Sequence, residues 1–220
     1  MKTQDFVIPF EYENRRPVII QRLLYIPPNF DKHELFEEKK YFDSSNDIHV
    51  EFCSGNGMWI AQKAKENPDI NYIAVEMKFD RARKIWVRMH NEDIKNLFVV
   101  MGEGYTFAKH YLHGSNVSEV YINFPDPWPK KRHARNRIVR DEVVLEFHRI
   151  MKDTAIINLV TDDVTYRDEM IRVLMDSNKF NPLYEKPYFV QDLQNFGSSF
   201  FEDLFRKRGK SINYIKFTKK

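Results

Sequence analysis

From Ile48 onward, short apolar runs of strand length alternate with longer mixed runs of helical length. Ile48 to Phe52 reads as a strand, Met58 to Glu66 as a helix, Asn71 to Glu76 as a buried strand and Lys78 to Asn91 as a helix rich in Arg and Lys. Leu97 to Gly102 and Val117 to Phe124 are further strands; Asp141 to Met151 is a helix, Ala155 to Val160 a strand and Tyr166 to Ser177 a helix. Two late strand candidates follow, Leu183 to Phe189 and Asn213 to Thr218, with Phe200 to Gly209 between them as a loop or short helix. Apolar strands separated by helices predict an α/β fold around a mostly parallel sheet covered on both faces. Residues 1–47 are a polar and aromatic lead-in with one apolar patch, Val18 to Ile26, ahead of a domain spanning 48–220.

At 220 residues, with 42% hydrophobic positions, the chain suits one domain with a full core. No apolar run approaches bilayer-spanning length, and the first residues lack a signal-peptide core. One cysteine allows no internal disulfide, as expected of a cytoplasmic protein. The net charge of +3 hides an asymmetry. Trp128 to Arg140 and Arg206 to Lys220 are cationic without a single acidic residue, and the rest of the chain is net acidic. Two such zones are either an electrostatic footprint for phosphates or solvated faces.

Candidate chemistry gathers at the predicted strand ends. In VEFCSGNGMW a strand runs through Glu51 into Gly55-x-Gly57 and a helix, a turn that brings backbone N–H groups close to a ligand. Trp59 and Ile60 stand where a dinucleotide fingerprint needs its third glycine. Glu76 follows Gly57 by about 20 residues, the spacing of an acid that accepts ribose hydroxyls. Glu103 and Asp126 follow the next two strands, so Glu51, Glu76, Glu103 and Asp126 mark four successive strand ends. Ligands collect at that edge of an open sheet. A Mg²⁺ site is the alternative, although such sites do not need one acid per strand. No metal-ligand spacing occurs, and Cys53 has no partner for zinc.

The most distinctive stretch is NFPDPWPKKRHARNR, Asn123 to Arg137. Phe124, Asp126 and Trp128 each precede a proline, which predicts extended, restricted backbone at all three and a fixed Asp126. Lys130, Lys131, Arg132, Arg135, Arg137 and Arg140 then form a cationic strip with no acidic residue among them, and His133 reads as a surface or phosphate contact. Trp128 stacks on a base or caps the core. In VTDDVTY, Asp162 and Asp163 form a helix cap with Thr165, or Asp162 meets a nucleotide. Ser199 and Glu202 have capping-box spacing.

In this order the motifs resemble the bacterial tRNA (guanine-N7)-methyltransferase family, TrmB, from about Ile48 to the C-terminus. The resemblance implies a Rossmann-like class I S-adenosylmethionine-dependent methyltransferase, with a seven-stranded sheet whose last strand is antiparallel. It implies that Glu51, Gly55, Gly57, Glu76, Glu103 and Asp126 line the S-adenosylmethionine site, with Asp126 the candidate catalytic residue. Lys130, Asp162, Ser199 and Glu202 would contact tRNA, and Lys131, Arg132, His133 and Arg135 would lie against its phosphates. The substrate atom would be N7 of a variable-loop guanine. No obligate protein partner is evident, and a monomer and a homodimer both fit. Cys53-Ser54 departs from the family's usual Gly-Cys, Glu103 from its usual aspartate, and Ser199 from its usual threonine.

Three rivals stay open at this point. A methyltransferase of proteins or small molecules is opposed by the dense cationic strip, and an NAD-dependent oxidoreductase by the absent third glycine. A catalytically silent RNA-binding module would keep the strip and lose the cofactor.

Overall fold

The computed structural model describes residues 1–33, 41–42, 44–193, 196–197 and 200–220. Internal contacts divide the chain into two compact units, Met1–Leu112 and His113–Lys220.

The first unit holds β1 (Val18–Ile20), β2 (Leu23–Tyr25), β3 (Ile48–Phe52), β4 (Asn71–Glu76) and β5 (Leu97–Met101). Their spatial order is β1-β2-β5-β4-β3. All neighbours except β1 and β2 are parallel. Every residue of β3, β4 and β5 is buried; β5 is accordingly an unbroken apolar run, while β3 buries the polar His49 and Glu51 along with its apolar residues. The Val18 to Ile26 patch becomes a hairpin. Its two turn residues, Gln21 and Arg22, both have positive φ, the geometry that matches the twist of the flanking strands. Arg22 Nη1 holds the turn down by donating to Ile94 O (2.6 Å) and Lys95 O (3.0 Å). The Ile26 side chain leaves no room for one at Gly102, where a Cβ would sit 2.8 Å from Ile26 Cβ.

Helices α1 (Met58–Glu66), α2 (Phe79–Asn91) and α3 (Gly104–Tyr111) complete this unit. Helix α2 buries Ala82, Ile85, Trp86 and Met89, a spacing of three and four that places them on one face. Phe6 packs edge-on against Trp86 at 5.1 Å, so the start of the lead-in is tied to α2. Helix α3 was absent from the sequence expectation. It starts at a glycine, and its cap Glu103 passes in the sequence for a strand terminus.

The second unit holds β6 (Val117–Asn123), β7 (Met151–Thr161), β8 (Phe180–Pro182), β9 (Val190–Gln191) and β10 (Asn213–Lys219). The order is β6-β7-β10-β8, with β9 also on β10. Strands β6 and β7 are parallel, and β10 is antiparallel to each of its neighbours. The expected antiparallel last strand is therefore present. Helices α4 (Asp141–Ile150), α5 (Val164–Asp176) and α6 (Phe200–Lys207), with a 3-10 helix at Lys131–Asn136, complete it.

Two expectations need correction. The Leu183 to Phe189 strand does not form; short β8 and β9 flank that stretch instead. Pro187 lies within it and Pro182 just before it, neither with a ladder donor, and Tyr188 has positive φ. The described residues carry ten strands, not seven, because the lead-in contributes β1 and β2 and the late candidate gives way to two short pieces. No helix among the described residues is long and apolar enough to cross a membrane.

Candidate functional site

Three of the predicted acids, Glu51, Glu76 and Glu103, lie in the first unit at the carboxyl ends of β3, β4 and β5. These strands are adjacent and in register, with Glu51 opposite Ala74 and Glu76 opposite Met101. Glu51 is 2% exposed and Glu76 6%. The turn after β3 is built around Glu76. Gly55 N donates to its Oε2 at 2.9 Å and Lys78 N to its Oε1 at 2.8 Å. Burial raises the Glu76 pKa, and these backbone donors offset the rise only in part. Each carboxylate oxygen has capacity for a second donor, so an acceptor for a pair of hydroxyls is already oriented.

The turn itself is strongly bent. Cys53, Gly55 and Gly57 all have positive φ. Gly57 is irreplaceable on two counts: its φ is +71°, and a Cβ there would lie 2.7 Å from Ile85 Cγ1. Cys53 adopts a conformation that glycine would take at no steric cost. Ser54 compensates by bracing the turn. Its Oγ donates to Glu51 O (2.9 Å) and its N to Val75 O (3.0 Å), and its O accepts from Gly57 N (2.9 Å). Glu103 caps α3, accepting from Tyr105 N at 3.1 Å and Thr106 N at 2.7 Å. The longer acid is thus accommodated by a local helix cap.

In the second unit, Asp126 is exposed, three residues beyond β6. The expectation of extended backbone at Phe124 and Trp128 is overturned: their φ values are 50° and 42°. Tertiary contacts outweigh the preference imposed by the following prolines. Phe124 N donates to Val160 O at 2.8 Å, and its ring packs among Val160, Ile212 and Tyr214. Arg137 fixes the other end of the loop. Its Nε donates to Pro127 O (2.8 Å) and its Nη2 to Trp128 O (3.0 Å), while Nη1 is paired with Glu169. Arg137 is therefore the residue that stiffens this loop, a role the sequence hid within the cationic run.

The strip shrinks accordingly. Arg140 donates to Glu142 (2.8 Å) and to Arg137 O (2.7 Å). Lys130, Arg132 and Arg135 are exposed on or beside the 3-10 helix. His133 is half-buried, with Trp128 edge-on at 5.7 Å. Trp128 thus packs on a neighbour within its own loop. Lys131 lies in the same helix.

The second cationic zone is partly neutralised. Lys210 pairs with Asp162. Arg206 pairs with Asp192 (2.7 Å) and Glu202 (3.0 Å). Lys219 is buried and donates to Met151 O at 2.7 Å. Asp163, rather than Asp162, caps α5 by accepting from Tyr166 N at 2.8 Å. Glu202 is 8% exposed. Ser199, and with it the expected capping box, lies outside the described residues. Among the described residues no three or more His, Cys, Asp or Glu side chains come together as a metal site would require.

A family model described as "Putative methyltransferase" matches residues 45–213. The tRNA (guanine-N(7)-)-methyltransferase of Chlamydia abortus (strain DSM 27085 / S26/3) is 42% identical over 223 residues, covering 100% of this chain and 99% of that one. The chain belongs to the tRNA (guanine-N7)-methyltransferase family. Its fold recurs in distant methyltransferases. The 16S rRNA methyltransferase KamB superposes with a TM-score of 0.57 at 13% identity, covering 85% of this chain and 98% of that one. Geranyl diphosphate C-methyltransferase from Streptomyces coelicolor A3(2), solved with S-adenosyl-L-homocysteine, gives 0.53 at 13% identity, covering 80% of this chain and 70% of that one. The α/β fold is thus the class I methyltransferase fold. For this tRNA (guanine-N7)-methyltransferase family member, the relatives' likeness spans both the acid-lined turn and the cationic loop.

Proposed function

We propose that the chain transfers a methyl group from S-adenosylmethionine to N7 of the variable-loop guanine at tRNA position 46, in the cytoplasm. The observation that carries this reading is the loop after β6. Arg137 bolts down its backbone through two carbonyls, while Lys130, Arg132 and Arg135 stay exposed one short helix away. A fixed acid beside exposed cations suits chemistry on a polyanion. Lys130, Lys131, Arg132, His133 and Arg135 are the phosphate contacts in this reading, and Asp162, Ser199 and Glu202 approach the target nucleotide.

S-adenosylmethionine, when bound, supplies a methyl group on a positively charged sulfur. The first unit fits such a ligand: Gly55 and Gly57 allow close backbone approach, and Glu76 is already oriented to accept from ribose hydroxyls. Glu51 and Glu103 line the same strand edge. Guanine N7 carries an in-plane lone pair and no proton, so no general base is needed to start. The protein's task is alignment in a near-attack geometry. The purine gains positive charge as the methyl arrives, and the Asp126 carboxylate favours that charge.

The test is Asp126→Asn. A loss of about 100-fold or more in turnover is expected, in line with other single electrostatic groups. Unchanged turnover and cofactor affinity would remove Asp126 from the mechanism. Mass mapping of 7-methylguanosine in digested tRNA checks the position.

A further inference from the structure

The lead-in is tied to the rest of the first unit at two places before β1. Arg83 Nε donates to Thr3 O at 2.8 Å, and Phe6 is buried against the rings of Phe79 (6.1 Å) and Trp86 (5.1 Å). Further on, the Phe10 ring meets Tyr25 at 6.3 Å and has the Arg16 guanidinium 4.9 Å from its centroid. Val7, Ile8 and Pro9 form the strap between these anchors.

Both anchors stand at the strand edge that carries the acids. Phe79 opens α2 just after Glu76 closes β4. Tyr25 is in register with Met101, and Met101 with Glu76. Ile26 N donates to Met101 O at 2.9 Å and Gly102 N to Glu76 O at 3.1 Å, so the ends of β2, β5 and β4 stay level. From Glu76 to Tyr25 is two strand spacings, about 10 Å. The chain from Phe6 to Phe10 reaches about 14 Å at most. The strap therefore has little slack and is confined to this edge.

Its first residue is not packed for the sake of the fold. Val7 is 67% exposed, and Met77 and Phe79, where β4 gives way to α2, are 61% and 40% exposed. Single apolar side chains on a surface need no explanation. Several of them beside a ligand edge mark a place where apolar ligand surface is received.

Glu76 is oriented for ribose hydroxyls, and in S-adenosylmethionine the adenine is carried on that same ribose. The base therefore comes to rest beside this carboxylate, with two flat faces to be covered. We propose that the Phe6–Phe10 strap covers the adenosine end of S-adenosylmethionine, with the Val7 side chain against the base. Phe6 and Phe10 are positioning residues: they hold the strap and do not touch the ligand. This rests on the reading of Glu76 as the ribose acceptor.

The experiment is titration calorimetry of the full chain with S-adenosylhomocysteine and with 5′-methylthioadenosine, which keeps adenine and ribose and lacks the amino-acid end. Val7→Ser should weaken both ligands by the same factor, about three- to tenfold, the size expected from the apolar contact of one valine. The melting temperature of the ligand-free protein should hardly move, because Val7 is exposed. Phe10→Ala should weaken both ligands as well and speed their release in stopped-flow, and Phe10→Tyr, which keeps the ring, should restore both. Unchanged affinity in Val7→Ser and Phe10→Ala would overturn the proposal. So would a loss confined to S-adenosylhomocysteine, which would place the strap at the amino-acid end. A loss of tRNA affinity or of self-association with cofactor affinity intact would give the strap to RNA or to a second copy of the chain, and would overturn it too. A wild type that binds neither ligand would instead defeat the underlying cofactor reading and carry this proposal with it.

Discussion

The amide of Gly55 donates to the carboxylate of Glu76 across 2.9 Å, so the acid that ends β4 also shapes the turn that follows β3. Glu76→Gln would leave one of its two backbone donors, Gly55 N or Lys78 N, facing an amide NH₂. A stability loss of about 1–3 kcal/mol is expected from the unpaired group, read by denaturant unfolding, together with at least tenfold weaker S-adenosylhomocysteine binding by calorimetry.

The same residue sets a pH dependence. Its pKa is raised chiefly by burial, so the folded state binds this proton more tightly than the unfolded chain does. The stability contribution of Glu76 therefore improves as pH falls through its folded pKa towards its unfolded value. Ligand affinity runs the other way, because ribose hydroxyls need the ionised acceptor. Titration calorimetry of S-adenosylhomocysteine should show affinity dropping on acidification at a higher pH than an ordinary glutamate would produce. Glu76→Gln should flatten that profile.

Cys53 and Gly57 offer opposite predictions within one turn. Cys53 has a φ of 63°, and Cys53→Gly should raise stability by about 1 kcal/mol, since glycine takes this conformation without the Cβ penalty. Gly57→Ala should cost about 2–4 kcal/mol through strain and collision with Ile85. Thermal or denaturant unfolding of the two variants decides both.

The cationic loop divides into structural and electrostatic members. Replacing Lys130, Arg132 and Arg135 together by Gln should weaken tRNA binding and flatten its salt dependence by about three units of log–log slope, about one per lost phosphate contact. Arg137→Met should leave the salt slope unchanged. It should instead lower stability by about 2–4 kcal/mol, because Glu169 loses its partner in a largely buried pair and two loop carbonyls lose their donors. Binding isotherms at several salt concentrations, beside unfolding curves, separate the two classes.

Much of this was legible in the sequence, for local reasons. Strands β3 and β4 and helix α1 fall on the residues expected of them because apolar runs are punctuated there by Gly55, Gly57 and Pro68. The carboxyl-end acids were legible because each closes or follows an apolar run. What the sequence concealed depends on partners far along the chain. Lys210 and Asp162 are 48 residues apart, and Arg137 and Glu169 are 32 apart, so a count of charges could not show that these cations are already paired. Phe124 and Trp128 escaped the conformation favoured before proline for the same reason: a strand bond and an arginine clamp, both tertiary, decide their backbone.

The most direct test is methyl transfer from labelled S-adenosylmethionine to two unmodified tRNA transcripts, identical except that the variable-loop guanine is adenine in one. Label entering only the guanine transcript, recovered as 7-methylguanosine, is the predicted result. Label in neither transcript, while tRNA still binds, would contradict it and leave an RNA-binding module without the chemistry.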